Sequence, residues 1–151
     1  MSFFEATNIA ATGLTAQRLR MDVISQNIAN INTTRTEDGS PYKRKITVFQ
    51  EIKENAVFSA YLDSALRKTS DKSFDGKGVR VSEIASDETP GTRVYEPGHP
   101  DADEDGYVTM PNVNIVAEMV NMIAASRSYE ANITAMTNTK AMIAKTLEIG
   151  K

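Results

Sequence analysis

The densest cluster of potential ligands is HPDADEDGYVTMPN at 99–112, which holds the chain's one histidine, His99. It spaces Asp101, Asp103, Asp105 and Gly106 as D-x-D-x-D-G, the first half of a helix–loop–helix calcium site. In such a loop alternate carboxylates surround the ion and the glycine permits the sharp bend. Counted from Asp101, however, the twelfth position is Asn112, where a bidentate Glu is required. Pro97, Gly98 and Pro100 also forbid the helix that must lead into the loop. Zinc or iron would need more nitrogen or sulfur donors than His99 alone supplies, and the chain has no cysteine. The stretch is therefore expected to be a stiff acidic connector with no metal, its carboxylates solvated or meeting basic residues of a neighbouring subunit.

The other chemistry-bearing groups are weaker still. Lys43-Arg44-Lys45 could grip a phosphate, but a short basic run beside a strand is normally a solvated edge. Gly76-Lys77-Gly78 lacks the upstream glycine and the following Ser or Thr of a phosphate loop, so it reads as a turn. No nucleophile-elbow sequence accompanies His99. No catalytic residue and no cofactor is expected, and the chain is not read as an enzyme.

These residues must be positioned by elements whose pattern starts from charge. At 151 residues the chain is long enough for a modest core, and its net charge of −3 argues against a nucleic-acid partner. Neither an apolar run long enough to span a bilayer nor a cleavable signal is visible. Of 37 charged residues, 26 lie between Arg35 and Asp105. Two low-charge terminal segments thus flank a charged middle.

Both ends carry helical periodicity. Residues 4–32 are expected to form one helix, with Thr7, Ala10, Leu14, Gln17, Met21, Ile24, Ile28 and Ile31 on a common stripe. Asn30, Asn32, Thr33 and Thr34 compete for backbone hydrogen bonds and should end it. At the other end Ile115, Met119, Met122, Ser126, Tyr129, Ile133, Met136, Lys140, Ile143 and Leu147 fall at heptad-like spacing. That helix should start at Pro111-Asn112 and run to about Glu148, with Gly150 beyond it. At ~1.5 Å per residue, each helix would be roughly 40 to 55 Å long. Their outer faces are Ala, Ser, Thr and Asn rather than charged, as at Ala124, Ala125, Ser128, Ala131, Asn132, Thr134, Ala135 and Asn138. Two readings fit: a monomeric antiparallel coiled coil with a soft surface, or a coiled coil that completes its burial inside a polymer. Between the helices, Ile46–Phe49, Gly78–Ile84 and Thr92–Tyr95 read as strands, and 59–77 as a polar turn or loop.

Two motif blocks go further than periodicity. SQNIANINTTRT at 25–36 is followed by DGSPYKRK at 38–45, and PGHPDADEDGYVTMPNVNIVAEMVNMIAASRSYEAN spans 97–132. The first resembles the S-x-N-I-A-N-x-N-T motif of the bacterial flagellar rod and hook proteins. The second resembles their P-N-V-(N/D) and A-x-R-x-Y-(E/Q)-A-N runs. Many of those proteins pass directly from the asparagine motif into a short T-x-G-(Y/F)-(K/R) segment. Here Thr34–Pro41 intervenes, and the lengthened R-T-x-x-G-x-P-Y-(K/R)-R-K form is similar to the proximal-rod subtype.

The resemblance implies a mainly α fold, its long N- and C-terminal helices forming a coiled-coil terminal domain around a small β-containing insert. The implied division is 1–34 and 111–151 for the coiled-coil core and 35–110 for the insert. It also implies a structural subunit of the flagellar basal-body rod, in a periplasm-spanning tube that transmits torque and supports motility. Such a subunit would be exported by the flagellar export apparatus without a cleaved signal. Its partners would be itself, other rod proteins and the base-ring/rod junction proteins, with no nucleic acid and no small-molecule substrate. The expected assembly interface comprises Leu14, Met21, Ile24, Asn27, Ile28, Asn30, Ile31, Asn32, Met119, Met122, Tyr129, Ile133, Met136, Ile143 and Leu147. From the residues alone two other classes stay open. One is an amphipathic membrane-surface or adaptor module using Phe3, Phe4 and Leu14, although Arg18 and Arg20 give only a thin basic face. The other is a calcium-binding module at Asp101, Asp103 and Asp105.

Overall fold

The computed structural model describes residues 3–52 and 76–149. The element order is α1 (Phe3–Ala29), β1 (Lys45–Glu51), β2 (Val79–Ser86), β3 (Arg93–Tyr95), β4 (Tyr107–Thr109) and α2 (Ile115–Ile149). Two long helices thus flank a small antiparallel-strand insert. The polar loop expected over 59–77 lies, apart from Gly76 and Lys77, outside the described residues.

Local chemistry sets the helix ends. α1 stops at Ala29, three residues short of the expected limit: beyond Asn30 N–H, which still reaches Gln26 O at 3.1 Å, the bonds tighten to Ile31 N–H on Ile28 O and Thr33 N–H on Asn30 O, and Thr33 Oγ1 bonds Asn30 Oδ1 at 3.2 Å. α2 begins at Ile115 rather than Pro111. Its N-cap is Asn114, whose Oδ1 accepts from the Val116 and Ala117 N–H groups at 3.0 and 3.1 Å. Pro111 and Asn112 lie ahead of the cap.

The helices run antiparallel, with Asn27 meeting Glu118 and Gly13 meeting Asn132. The face of α2 turned to α1 is rotated from the expected stripe. Glu118, Ala125 and Thr139 are buried and Asn132 is half-buried, a row repeating every seventh residue. Met122, Tyr129, Met136 and Ile143 flank it half-buried. Met119, Ile133 and Leu147 instead face outward. The cause is steric and polar together. Ala10, Gly13 and Ala16 bring the α1 backbone close, so that a Cβ on Gly13 would sit 2.9 Å from Asn132 Oδ1. Only small or specifically partnered side chains fit opposite them.

The insert lies against α1 through β1 and β2. These pair antiparallel from Lys45↔Ser86 to Glu51↔Val79, with a bulge between Val48 and Phe49. Val79 N–H donates to Thr12 Oγ1 at 3.2 Å, which anchors the start of β2 on the helix. Gly78 makes this approach feasible: its φ is +105°, and a Cβ there would run into Thr12 Oγ1. A second pair, β3 with β4, joins Arg93–Tyr95 to Thr109–Tyr107. β4 falls within the stretch expected to be a connector. Three residues bounded by acids and a glycine carry too little alternation to announce a strand.

Replacing Gly78 by Ala should destabilise the chain by about 2 kcal/mol or more, the sum of left-handed strain and a clash with backbone-anchoring Thr12. Urea denaturation followed by circular dichroism measures this; an unchanged midpoint would show that β2 is not seated on Thr12.

Candidate assembly interface

Segments remote in the chain converge where α1 ends and α2 begins. Asn27, in the last turns of α1, is 1% exposed and has all four of its usual hydrogen-bonding valences filled. Its Oδ1 accepts from Lys45 N–H at 2.9 Å and from Tyr42 Oη at 3.0 Å. Its Nδ2 donates to Lys45 O at 2.8 Å and to Glu118 Oε2 at 3.0 Å. The side-chain amide thus pairs with the backbone of Lys45 as a neighbouring strand would, and docks β1 onto α1.

Glu118, also 1% exposed, would be costly to bury unpaired. Arg44 meets it with Nε at 2.9 Å and Nη2 at 2.8 Å, both on Oε1, and Asn27 takes Oε2. Asp87 sits on another edge of the same guanidinium, 3.5 Å from Nη1. Asn112 completes the junction: its Oδ1 accepts from Arg44 N–H at 2.7 Å and its Nδ2 donates to Asp87 O and Thr89 O, both at 3.0 Å. One connected network therefore ties α1, the 42–45 segment, the end of β2 and the start of α2.

Two ionisable groups of this junction are perturbed. Burial, reinforced by the negative charge of Glu118, raises the Tyr42 phenol above its ordinary value of 10.0. Hydrogen bonds from Thr89, with a smaller contribution from Arg44, hold Asp87 below the ordinary carboxylate value. For Tyr42 the sign follows directly. The folded state holds the phenol proton more tightly than the unfolded chain, so this contribution to stability is present below pH 10.0 and is lost as pH rises toward the folded value.

The acidic stretch at 99–112 is held by protein groups. Asp101 accepts from Thr34 Oγ1 at 2.8 Å and lies 3.7 Å from the Arg35 guanidinium. Its N–H donates to His99 Nδ1 at 3.1 Å, and Asp103 pairs with Arg93 at 3.0 Å. Among the described residues no group of three or more His, Cys, Asp or Glu is arranged to hold a metal ion. No described helix is long and apolar enough to cross a membrane.

The expected interface residues separate into distinct environments. Ile24 and Asn27 are buried within the chain, so here they hold the protomer together rather than line its exterior. Leu14, Met21, Ile28, Asn30, Ile31, Met122, Tyr129, Met136 and Ile143 are half-buried. Asn32, Met119, Ile133 and Leu147 are exposed. Around Met119 the first turns of α2 also expose Ile115, Val116, Val120 and Ile123, with Val116 66% exposed. No charged residue interrupts this face before Arg127, since Glu118 points the other way, into α1. Reading Lys43-Arg44-Lys45 as a solvated edge holds for Lys43, which is exposed and pairs with Glu88. It fails for Arg44, because a carboxylate on the last helix draws that side chain in. Tyr42, Arg44, Asp87, Asn112 and Glu118 lie outside the expected interface set; the sequence signal for four of them is that they fall inside the motif blocks at 38–45 and 97–132.

Comparison with known proteins bears on what this geometry serves. Residues 8–35 match the family described as flagella basal body rod protein, and residues 104–149 match the flagellar basal body rod FlgEFG protein C-terminal family. Across its length the chain is 46% identical to the flagellar basal-body rod protein FlgC of Borreliella burgdorferi, covering 99% of this chain and 98% of that one. Identity to the Bacillus subtilis FlgC is 45%, and to the FlgC of Escherichia coli O157:H7 40%, each covering 100% of both chains.

The chain belongs to the FlgC family of flagellar basal-body rod proteins.

As a FlgC-family protein it is a structural subunit of the basal-body rod and not an enzyme. The two matched segments coincide with the two partners of the polar junction. Asn27 belongs to the first and Glu118 to the second, so both family-matched ends contribute a buried side chain to one network.

Removing one side of the buried pair, as in Arg44→Leu, should cost about 3–5 kcal/mol by stranding the Glu118 carboxylate. Arg44→Leu combined with Glu118→Leu should be less harmful than the sum of the single changes. A double-mutant cycle by urea titration measures this, and strict additivity would mean the pair does not interact. In Tyr42→Phe, the stability lost between pH 9.5 and 11 should be smaller than in the parent chain, and parallel profiles would refute the buried-phenol account.

Proposed function

We propose that this rod subunit polymerises with copies of itself and with other rod proteins into a helical tube that spans the periplasm and transmits torque. The observation that carries the reading is the apolar outer face at the start of α2: Ile115, Val116, Met119, Val120 and Ile123. An exposed face of this kind on a helix already packed on its other side is left for a further helix. Covering each large apolar side chain would contribute roughly 1.5–3 kcal/mol before ordering costs. Five on one face favour assembly of subunits that pass the export apparatus unfolded and bury this face when they meet their neighbours.

In this reading 1–34 and 111–151 form the coiled-coil core of the rod and 35–110 the insert. The fifteen expected interface residues divide their work. Ile24 and Asn27 shape the protomer, while Met119, Ile133, Leu147 and Asn32 meet neighbours. The half-buried Leu14, Met21, Ile28, Asn30, Ile31, Met122, Tyr129, Met136 and Ile143 lie along the edges where a neighbouring helix would seat. The base-ring/rod junction proteins would be the partners at one end.

Val120→Asp should leave the purified chain folded, because Val120 is exposed, yet abolish swimming when it replaces the parent chain. Ile28→Asp should also block rod formation, with some loss of protomer stability because Ile28 is half-buried. Motility assays and electron microscopy of isolated basal bodies report both. Full motility with Val120→Asp would remove the α2 face from the assembly.

A further inference from the structure

Between α1, β1 and the start of α2 lies a cleft of about 210 Å³ whose wall includes Arg20, Arg44, Lys45, Phe49 and Glu118. Its charges are unbalanced. Arg44 and Asn27 already take up the Glu118 carboxylate, and Arg44 has Asp87 beside it as well. Arg20 and Lys45 are half-buried and make no ion pair among the described residues. Each lies over a ring: Arg20 is 5.9 Å from the Phe49 centroid and Lys45 5.9 Å from that of Tyr42. Two cations held partly out of water beside aromatic faces form a receptive site for a carboxylate.

The same chain carries the complement on a tight turn at the tip of the β3–β4 hairpin. Gly106, at φ +79°, donates its N–H to Asp103 O, and Asp103 N–H donates to Tyr107 O, both at 2.8 Å. Tyr95 and Tyr107 pack edge to face behind the turn, with centroids 5.2 Å apart. Asp101 and Asp103 are engaged by Thr34, Arg35 and Arg93. Glu104 and Asp105 are exposed and have no hydrogen-bond or ion-pair partner among the described residues. The turn borders the Thr34–Pro41 side of the protomer and contributes nothing to the wall of the cleft.

We infer that the Glu104–Asp105 turn of one copy docks in the Arg20–Lys45 cleft of a second copy. The contact joins unlike surfaces, so it repeats from subunit to subunit without closing on itself, as a rod requires. This inference rests on the rod-subunit reading and adds to it a specific head-to-tail contact, separate from the apolar face of α2.

Because the chain has no cysteine, engineered pairs report the contact cleanly. Lys45→Cys and Glu104→Cys chains, co-expressed in a strain lacking the parent chain, should form an oxidised dimer in isolated basal bodies, and a Gly98→Cys chain replacing the Glu104 variant should not. Arg20→Glu with Lys45→Glu should lower rod yield by at least about tenfold, as losing charge-assisted contacts does. Adding Glu104→Lys and Asp105→Lys should restore most of that yield. Arg20→Gln with Lys45→Gln, checked for an unchanged urea midpoint, guards against misfolding and should show an intermediate loss. Rods that form without the cross-link, or a cross-link only to a different protein, would overturn the inference and leave the rod-subunit reading standing. Failure of the unmodified chain to enter basal bodies would overturn both.

Discussion

The structure depends on burying one carboxylate between two helices. Glu118 faces α1 and is 1% exposed, with Asn27 of that helix 3.0 Å from its carboxylate. An isolated ion there would be driven out, so α2 can pack on α1 only when Arg44 and Asn27 are in place to receive it. Arg44 is in place only when the 42–45 segment has docked against Asn27 and Asn112. The pairing of the termini is therefore conditional on the insert. A seam of Ala10, Gly13, Ala16, Ala125 and Thr139 has little apolar bulk with which to choose a register for itself. The buried pair supplies that choice, the best-attested use of such groups.

That arrangement has a second consequence. Because the α1-facing row of α2 is small and polar, its larger apolar side chains are displaced outward to 115, 116, 119, 120 and 123. In a monomeric hairpin this would be a misuse of hydrophobic residues. In a rod subunit that polymerises as proposed, the inner seam would need only specificity, and the outer face would hold apolar area in reserve for neighbours. A self-contained coiled coil with a soft surface would leave this α2 face in water.

Much of this was legible in advance. Periodicity located both helices to within a few residues, because 3.6-residue spacing survives whichever face finally turns inward. The strands at Ile46–Phe49, Gly78–Ile84 and Thr92–Tyr95 were visible by alternation and turn residues, and all three are present within slightly different limits. The motif blocks point to the family by themselves. What periodicity could not reveal was the rotation of the α2 seam. A stripe count rewards Met119, Ile133 and Leu147 for being apolar and has no means of weighing a glutamate that gains a partner 74 residues away. The start of α2 differs from the expected one for a related reason. Pro111-Asn112 resembles a helix start, but Asn112 is committed to Arg44 and Thr89, and the cap falls to Asn114.

The sequence by itself determined the two helical ends, their poverty of charge, the strand-bearing insert, the absence of cysteine chemistry and the family. These are properties of composition and near-neighbour spacing. Only the tertiary structure decided which face of each helix turns inward, that Asn27, Tyr42, Arg44, Asn112 and Glu118 form one network, and that Glu104 and Asp105 have no partner among the described residues while Asp101 and Asp103 are engaged. The reason is that desolvation and hydrogen-bond satisfaction are set by partners far away along the chain. A buried charge or amide is tolerable or ruinous according to what folding brings beside it.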